Sequence, residues 1–175
     1  MTKPKLEYSI EDLERLNIGI ESTIGIDGFA LIINNKYIDS IAELDDFLEE
    51  NKKALAEVVF IQSKRTPSFS SRDIENFGSA VSDFIAEAPR LPWPRFAKDR
   101  IALFSKFVER IAELKEQPKA SLYYVCLGTA EGANDSTIQI KANQIKEKIR
   151  TATIFKDIEI YLYSKQDLID AYIKI

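Results

Sequence analysis

Two short stretches of this chain bring together residue types that handle phosphate and divalent cations. Residues 57–65 read EVVFIQSKR, an apolar run of Val58, Val59, Phe60 and Ile61 that passes directly into Gln62, Ser63, Lys64 and Arg65. Side chains alternate along a strand, so Gln62 and Lys64 share one face and Ser63 points away. An amide and an ammonium at the end of a buried run stand where a ligand would meet them. The second stretch is Ile24-Gly25-Ile26-Asp27-Gly28-Phe29, a carboxylate flanked by glycines in an apolar setting. Glycine has no side chain, so a metal ion or phosphate can approach Asp27 closely.

If the two strands are neighbours, Asp27 and Gln62 face one hard cation. Such an ion takes oxygen ligands from a carboxylate, an amide, a backbone carbonyl such as that of Ser63, and water. Magnesium or manganese fits this donor set. Lys64 would neutralise charge building on a phosphoryl group under attack. Lys64, Arg65 and Arg72 form a local cluster for phosphate contacts, which position a nucleic acid without reading its bases. Lys141, Lys146, Lys148 and Arg150 decorate a later helix, where a solvated face balanced by Glu147 is the simpler reading. For a second acidic ligand, Glu11 and Glu14 are the best placed by sequence. Glu57 would face the wrong side, and Glu21 lies about 20 Å from Asp27 on a straight strand at roughly 3.3 Å per residue, unless the chain bends at Gly25.

The elements that must position these residues are legible from periodicity. Residues 9–17 (SIEDLERLN) suggest a short helix capped by Ser9. Residues 24–33 suggest a strand, followed by an Asn34-Asn35 hairpin into residues 36–38. Asp39 or Ser40 caps a helix with Ile41, Leu44, Phe47 and Leu48 at helical spacing. The strand 57–65 is followed by a helix capped at Ser70 or Ser71, with Ile74, Phe77, Val81 and Phe84 inward. Residues 88–94 (APRLPWP) break the chain between two helices, with Trp93 as a wedge over the core. The next helix is predicted over 97–116. A strand over 121–128, a helix over 136–152, a strand over 157–163 and a helix over 165–173 complete a β-α-β-α half. Tyr123 and Tyr124 are read as core, and Cys126 as a small residue within a strand.

Composition agrees with one α/β domain over residues 1–175. The 175 residues are 45% hydrophobic and 30% charged, with 6 Gly and 6 Pro, a profile that supports a sizeable core. The chain has no histidine, which removes Ser-His-Asp and Cys-His catalysis and His-zinc sites. A single cysteine can form no intramolecular disulfide, which points to the reducing cytoplasm. No leader-like segment opens the sequence, and no apolar run reaches the roughly 20 residues that span a bilayer, so no membrane partner is expected. The net charge of -4 argues against a nucleic-acid coat protein but leaves room for a local basic track.

Asp27, a hairpin, and a strand ending Gln62-x-Lys64 resemble the PD-(D/E)xK nuclease pattern in the Asp…Gln-x-Lys variant of Mrr-type restriction enzymes. A longer likeness is more specific. Residues 24–33 (IGIDGFALII), 60–66 (FIQSKRT), 77–84 (FGSAVSDF), and Leu122-Tyr123-Tyr124-Val125 with Gly128-Thr129 resemble the N-terminal region of abortive infection phage resistance (AIPR) proteins. The resemblance implies a restriction-endonuclease-like mixed sheet flanked by helices and a magnesium-dependent nuclease acting in phage defence. Asp27 would be the metal ligand, Gln62 would stand where Asp or Glu is usual, and Lys64 would be the catalytic lysine. Family members are longer and usually carry a further helix upstream, often bearing a glutamate near the metal, so the resemblance is compatible with either an N-terminal fragment of that architecture or a shortened relative. DNA is favoured over RNA, and a homodimer would suit cleavage of both strands. The alternative reading is a degenerate nuclease fold that binds nucleic acid or a partner protein.

Overall fold

The computed structural model describes residues 24–173. The expected helix over residues 9–17, and with it Glu11, Glu14 and Glu21, lies outside the described residues. A five-stranded sheet in the order β2-β1-β3-β4-β5 organises the remainder. Its strands are β1 (Gly28–Ile33), β2 (Lys36–Ile38), β3 (Ala56–Lys64), β4 (Lys119–Cys126) and β5 (Asp157–Tyr163). Strands β1 and β2 form a hairpin, β1 runs antiparallel to β3, and β3, β4 and β5 run parallel. The helices are α1 (Ile41–Glu50), α2 (Ser71–Phe84), α3 (Arg95–Glu109), α4 (Ala130–Ala133), α5 (Ser136–Arg150) and α6 (Lys165–Ile173). This is an open mixed α/β sheet flanked by helices, consistent with the restriction-endonuclease-like fold.

Local chemistry explains the boundaries. Asn34 and Asn35 adopt φ of 49° and 68°, the left-handed pair that a two-residue hairpin requires. Ser40 caps α1 by accepting from the Glu43 peptide N–H, and Ser70 caps α2 through Asp73. Strand β1 begins four residues later than its apolar pattern suggests, because Gly25 turns the chain at φ +101°. A Cβ there would also stand 3.3 Å from the Asn76 carbonyl oxygen of α2, so only glycine suits the bend.

Helix α3 is shorter than its periodicity suggests. It stops at Glu109, and Ile111–Glu113 form a single 3₁₀ turn. Arg110 ends the helix by bonding Asp45 of α1 at 2.6 Å and Glu113 at 2.7 Å, and the Lys115 peptide N–H then donates to the Ala54 carbonyl. Ile111 and Leu114 are three residues apart, a spacing common to both helix types.

The core lies between one sheet face and the helices α2 and α3. Phe29 of β1, Phe60 of β3, Phe84 of α2 and Phe104 of α3 meet at ring-centroid distances of 5.0 to 6.4 Å. Trp93 closes this cluster against Phe84, and its indole N–H donates to Asp83 at 2.8 Å, as expected for a wedge. Helix α5 packs on α2, where Gly78 lies directly under Ile145. Tyr124 is fully buried, whereas Tyr123 stands on the opposite sheet face, stacked on Tyr161 at 4.8 Å. The pair is therefore divided between two faces, and only Tyr124 is core.

Candidate functional site

Strand β3 outruns its antiparallel neighbour. The β1–β3 ladder ends at Gly28 opposite Ile61, with one further bond from the Asp27 N–H to the Ile61 carbonyl at 2.8 Å. On the other side β3 continues alongside β4 to Lys64 opposite Cys126. Gln62, Ser63 and Lys64 thus project beyond β1, and the side chain of Asp27 lies across that open end.

The contacts there are close and share one acceptor. Asp27 Oδ2 accepts from the Ser63 peptide N–H at 2.6 Å, from Ser63 Oγ at 2.9 Å and from Gln62 Nε2 at 2.8 Å. Hydrogen bonds to a carboxylate are shorter and stronger than neutral ones, so this triple grip fixes the group. Among the described residues Oδ1 receives no hydrogen bond. Gln62 is 3% exposed; its Nε2 also donates to the Ser63 carbonyl at 3.1 Å, and its Oε1 is buried with no partner. Lys64 follows on the same strand face as Gln62 and is partly exposed.

Of the residues singled out from sequence, Asp27, Gln62 and Ser63 are thus in contact, and Lys64 follows on the same strand with no hydrogen bond or ion pair to them among the described residues. The Ser63 side chain was not anticipated among these contacts. Strand alternation points it away from Gln62, yet it reaches Asp27 because β3 has no β1 partner at that position. A polar residue between two candidate ligands at a strand end was the available signal. Arg65, the next residue, and Arg72, in the first turn of α2, are exposed, and among the described residues neither forms an ion pair. The later basic group is occupied instead. Lys141 pairs with Glu75 at 3.4 Å, Lys146 with Glu159 at 3.3 Å and Arg150 with Glu147 at 2.5 Å, which makes that face a balanced, solvated one.

The rest of the surroundings define what the site can hold. Glu57 bonds the Ser121 hydroxyl and stands on the face opposite Gln62, as the alternation requires. Among the described residues no three Cys, Asp or Glu side chains converge. A cation at this position would take its protein ligands from Asp27 and from the amide oxygen of Gln62, which has to exchange places with Nε2 to face Asp27. Two such oxygens suffice for magnesium, which keeps several waters and uses one or two carboxylates with substrate phosphate. A cleft of about 300 Å³ lies two strands away, lined by Asn134, Gln139, Tyr161, Tyr163 and Asp167 among others, and shares none of these residues. No helix of the described residues is long and apolar enough to cross a membrane.

Comparison with protein-family models, with curated proteins and with solved structures returns no match, so the functional reading stands on the geometry of Asp27, Gln62, Ser63 and Lys64.

Proposed function

We propose that this chain is a magnesium-dependent nuclease domain that hydrolyses nucleic-acid phosphodiester bonds, acting in the cytoplasm in defence against phage. The observation that carries the reading is the Asp27 carboxylate bonded to the buried Gln62 amide at the protruding end of β3, with Lys64 next on the same strand face. Asp27 and Gln62 would hold the cation, magnesium or manganese, with the Gln62 amide turned so that its oxygen takes the place of Nε2 beside Asp27. When bound, the cation polarises a phosphoryl oxygen and lowers the pKa of a coordinated water. Ser63 keeps Asp27 in place with two hydrogen bonds. The Lys64 ammonium, on the same strand face as Gln62, faces the phosphoryl group and stabilises the charge that develops as water adds and the P–O ester bond breaks. Arg65 and Arg72 take flanking phosphates, which lets the site follow a backbone of either sequence. DNA is the favoured substrate, and a pair of chains would cut both strands.

A second reading has its own observation. The Gln62 amide donates to Asp27, so the two residues satisfy each other without a cation. A degenerate module that binds nucleic acid or a partner protein would look the same. Calorimetric titration with Mn²⁺ separates the two. The nuclease reading expects saturable binding that Asp27→Ala abolishes, and absence of binding by wild type supports the binding module.

A further inference from the structure

Strand β5 stands at the edge of the sheet, and its carboxyl half borders the cleft of about 300 Å³ that lies apart from Asp27. Side chains alternate along a strand, yet all four of residues 160–163 line this cleft, so it wraps around the sheet edge. Asn134, Gln139 of α5 and Asp167 of α6 close it from the helical side. Its volume is at the lower limit of small-ligand sites, the scale of a single side chain.

Three of the lining groups have the same chemical sense. The Asn134 amide nitrogen donates to the Ala130 carbonyl at 2.9 Å, and the Gln139 nitrogen to the Ala133 carbonyl at 2.7 Å. Both amides are thereby oriented, and their oxygens accept from no described residue. Asp167 Oδ2 accepts from the Ser164 hydroxyl at 2.6 Å and from the Ser164 peptide N–H at 2.8 Å, while Oδ1 accepts from no described residue. The hydroxyl first, and then the peptide N–H, hold this carboxyl below its ordinary range, so it is ionised at neutral pH. No lysine or arginine is among the described residues that line the cleft. Tyr161, 37% exposed, and Tyr163 add two ring walls at 74° to each other.

We propose that the β5 cleft is a recognition site for a guanidinium group, the arginine side chain of a partner protein. A guanidinium carries five N–H donors in one plane and no acceptor. It can serve a carboxylate and two amide oxygens together while its face lies on a tyrosine ring. A lysine ammonium offers a point charge without a flat face. A phosphate chain has the wrong sign, because its charge would meet that of Asp167. Asp167 also closes the Ser-x-x-Asp box that starts α6, with its own N–H donating to the Ser164 hydroxyl at 3.3 Å. That role uses one carboxylate oxygen and leaves the other, with its charge, to the cleft. The site is independent of any chemistry at Asp27.

The test titrates the full chain, labelled for backbone NMR, with N-acetyl-arginine amide. The matching lysine amide and citrulline amide, the latter without charge, are the comparisons. Blocked arginine should give saturable shifts at Asn134, Gln139 and residues 160–167, with a dissociation constant of the order of millimolar. Citrulline should give none, and lysine should bind at least about threefold more weakly. Asp167→Asn keeps an oxygen for the Ser164 N–H and should weaken arginine binding about tenfold, the loss of one charge-assisted hydrogen bond. Tyr161→Ala removes an exposed ring and should weaken it about threefold, which keeps the test decisive if Asp167→Asn disturbs α6. No shifts in the cleft, equal binding of citrulline or lysine, or undiminished binding by the folded variants would each overturn the proposal.

Discussion

At the scale of single residues, two carboxylates are held by three donors each, and each makes a separate prediction. Asp27 receives two of its three from Ser63. Ser63→Ala removes the hydroxyl donor, and because that group is exposed the expected cost is about 1 kcal/mol in urea unfolding. The same variant should bind Mn²⁺ more weakly, since Asp27 would keep only two of its three donors. Unchanged stability and unchanged affinity would show that the hydroxyl contact contributes nothing. Asp83 accepts from the Arg90 and Leu91 peptide N–H groups and from the Trp93 indole. Burial alone would raise its carboxyl, but these bonds outweigh it and hold the group below the usual carboxylate range. A depressed carboxylate stabilises the fold fully above its unfolded value of about 3.9 and loses that contribution as pH falls through the folded value. The stability gap between wild type and Asp83→Ala should therefore be constant near neutrality and shrink on acidification below about pH 4. A gap that widens in acid would contradict this. Residue identity made Asp27, Gln62 and Lys64 legible in advance. The Ser63 hydroxyl was not, because its contact depends on register between strands far apart in sequence.

At the scale of elements, the close crossing of α2 and α5 is the most demanding contact. A Cβ on Gly78 would lie 2.5 to 2.7 Å from three side-chain carbons of Ile145. Alanine normally gains about 1 kcal/mol over glycine inside a helix. Here Gly78→Ala should instead destabilise by about 1–3 kcal/mol through overpacking. In an Ile145→Ala background the penalty should vanish, and thermal unfolding of the four proteins checks it. Strongly periodic elements could be read from sequence because burial imposes their periods, as in α2 with Ile74, Phe77, Val81 and Phe84. Ends decided by distant partners could not. The early stop of α3 depends on Arg110 reaching Asp45, and the late start of β1 on Gly25 meeting α2. The four-residue α4, capped by Thr129, is too short to show any period.

At the scale of the whole molecule, the sheet changes character at β3, antiparallel toward β1 and parallel toward β4. The site lies at that change, at the carboxyl end of β3, where β1 has ended and β4 continues. Ligands of open α/β sheets gather at the carboxyl ends of strands where such a discontinuity opens a crevice. The same architecture buries the only cysteine, Cys126, at the end of β4. Burial pushes its thiol up, only partly countered by the Gly128 N–H. A thiol reagent should therefore label Cys126 only as the sheet opens, at a rate that rises with urea, whereas immediate labelling of native protein would mean that this edge of the core is open. The central claim, metal-dependent nuclease chemistry at Asp27, Gln62 and Lys64, is met most directly by cleavage. Plasmid and single-stranded DNA are incubated with Mg²⁺ or Mn²⁺ and with wild type or Lys64→Ala. Metal-dependent cutting by wild type that falls by about a hundredfold or more in Lys64→Ala is expected from loss of a group that stabilises transition-state charge. Equal cutting by both proteins, or none by folded wild type with either metal, would contradict it.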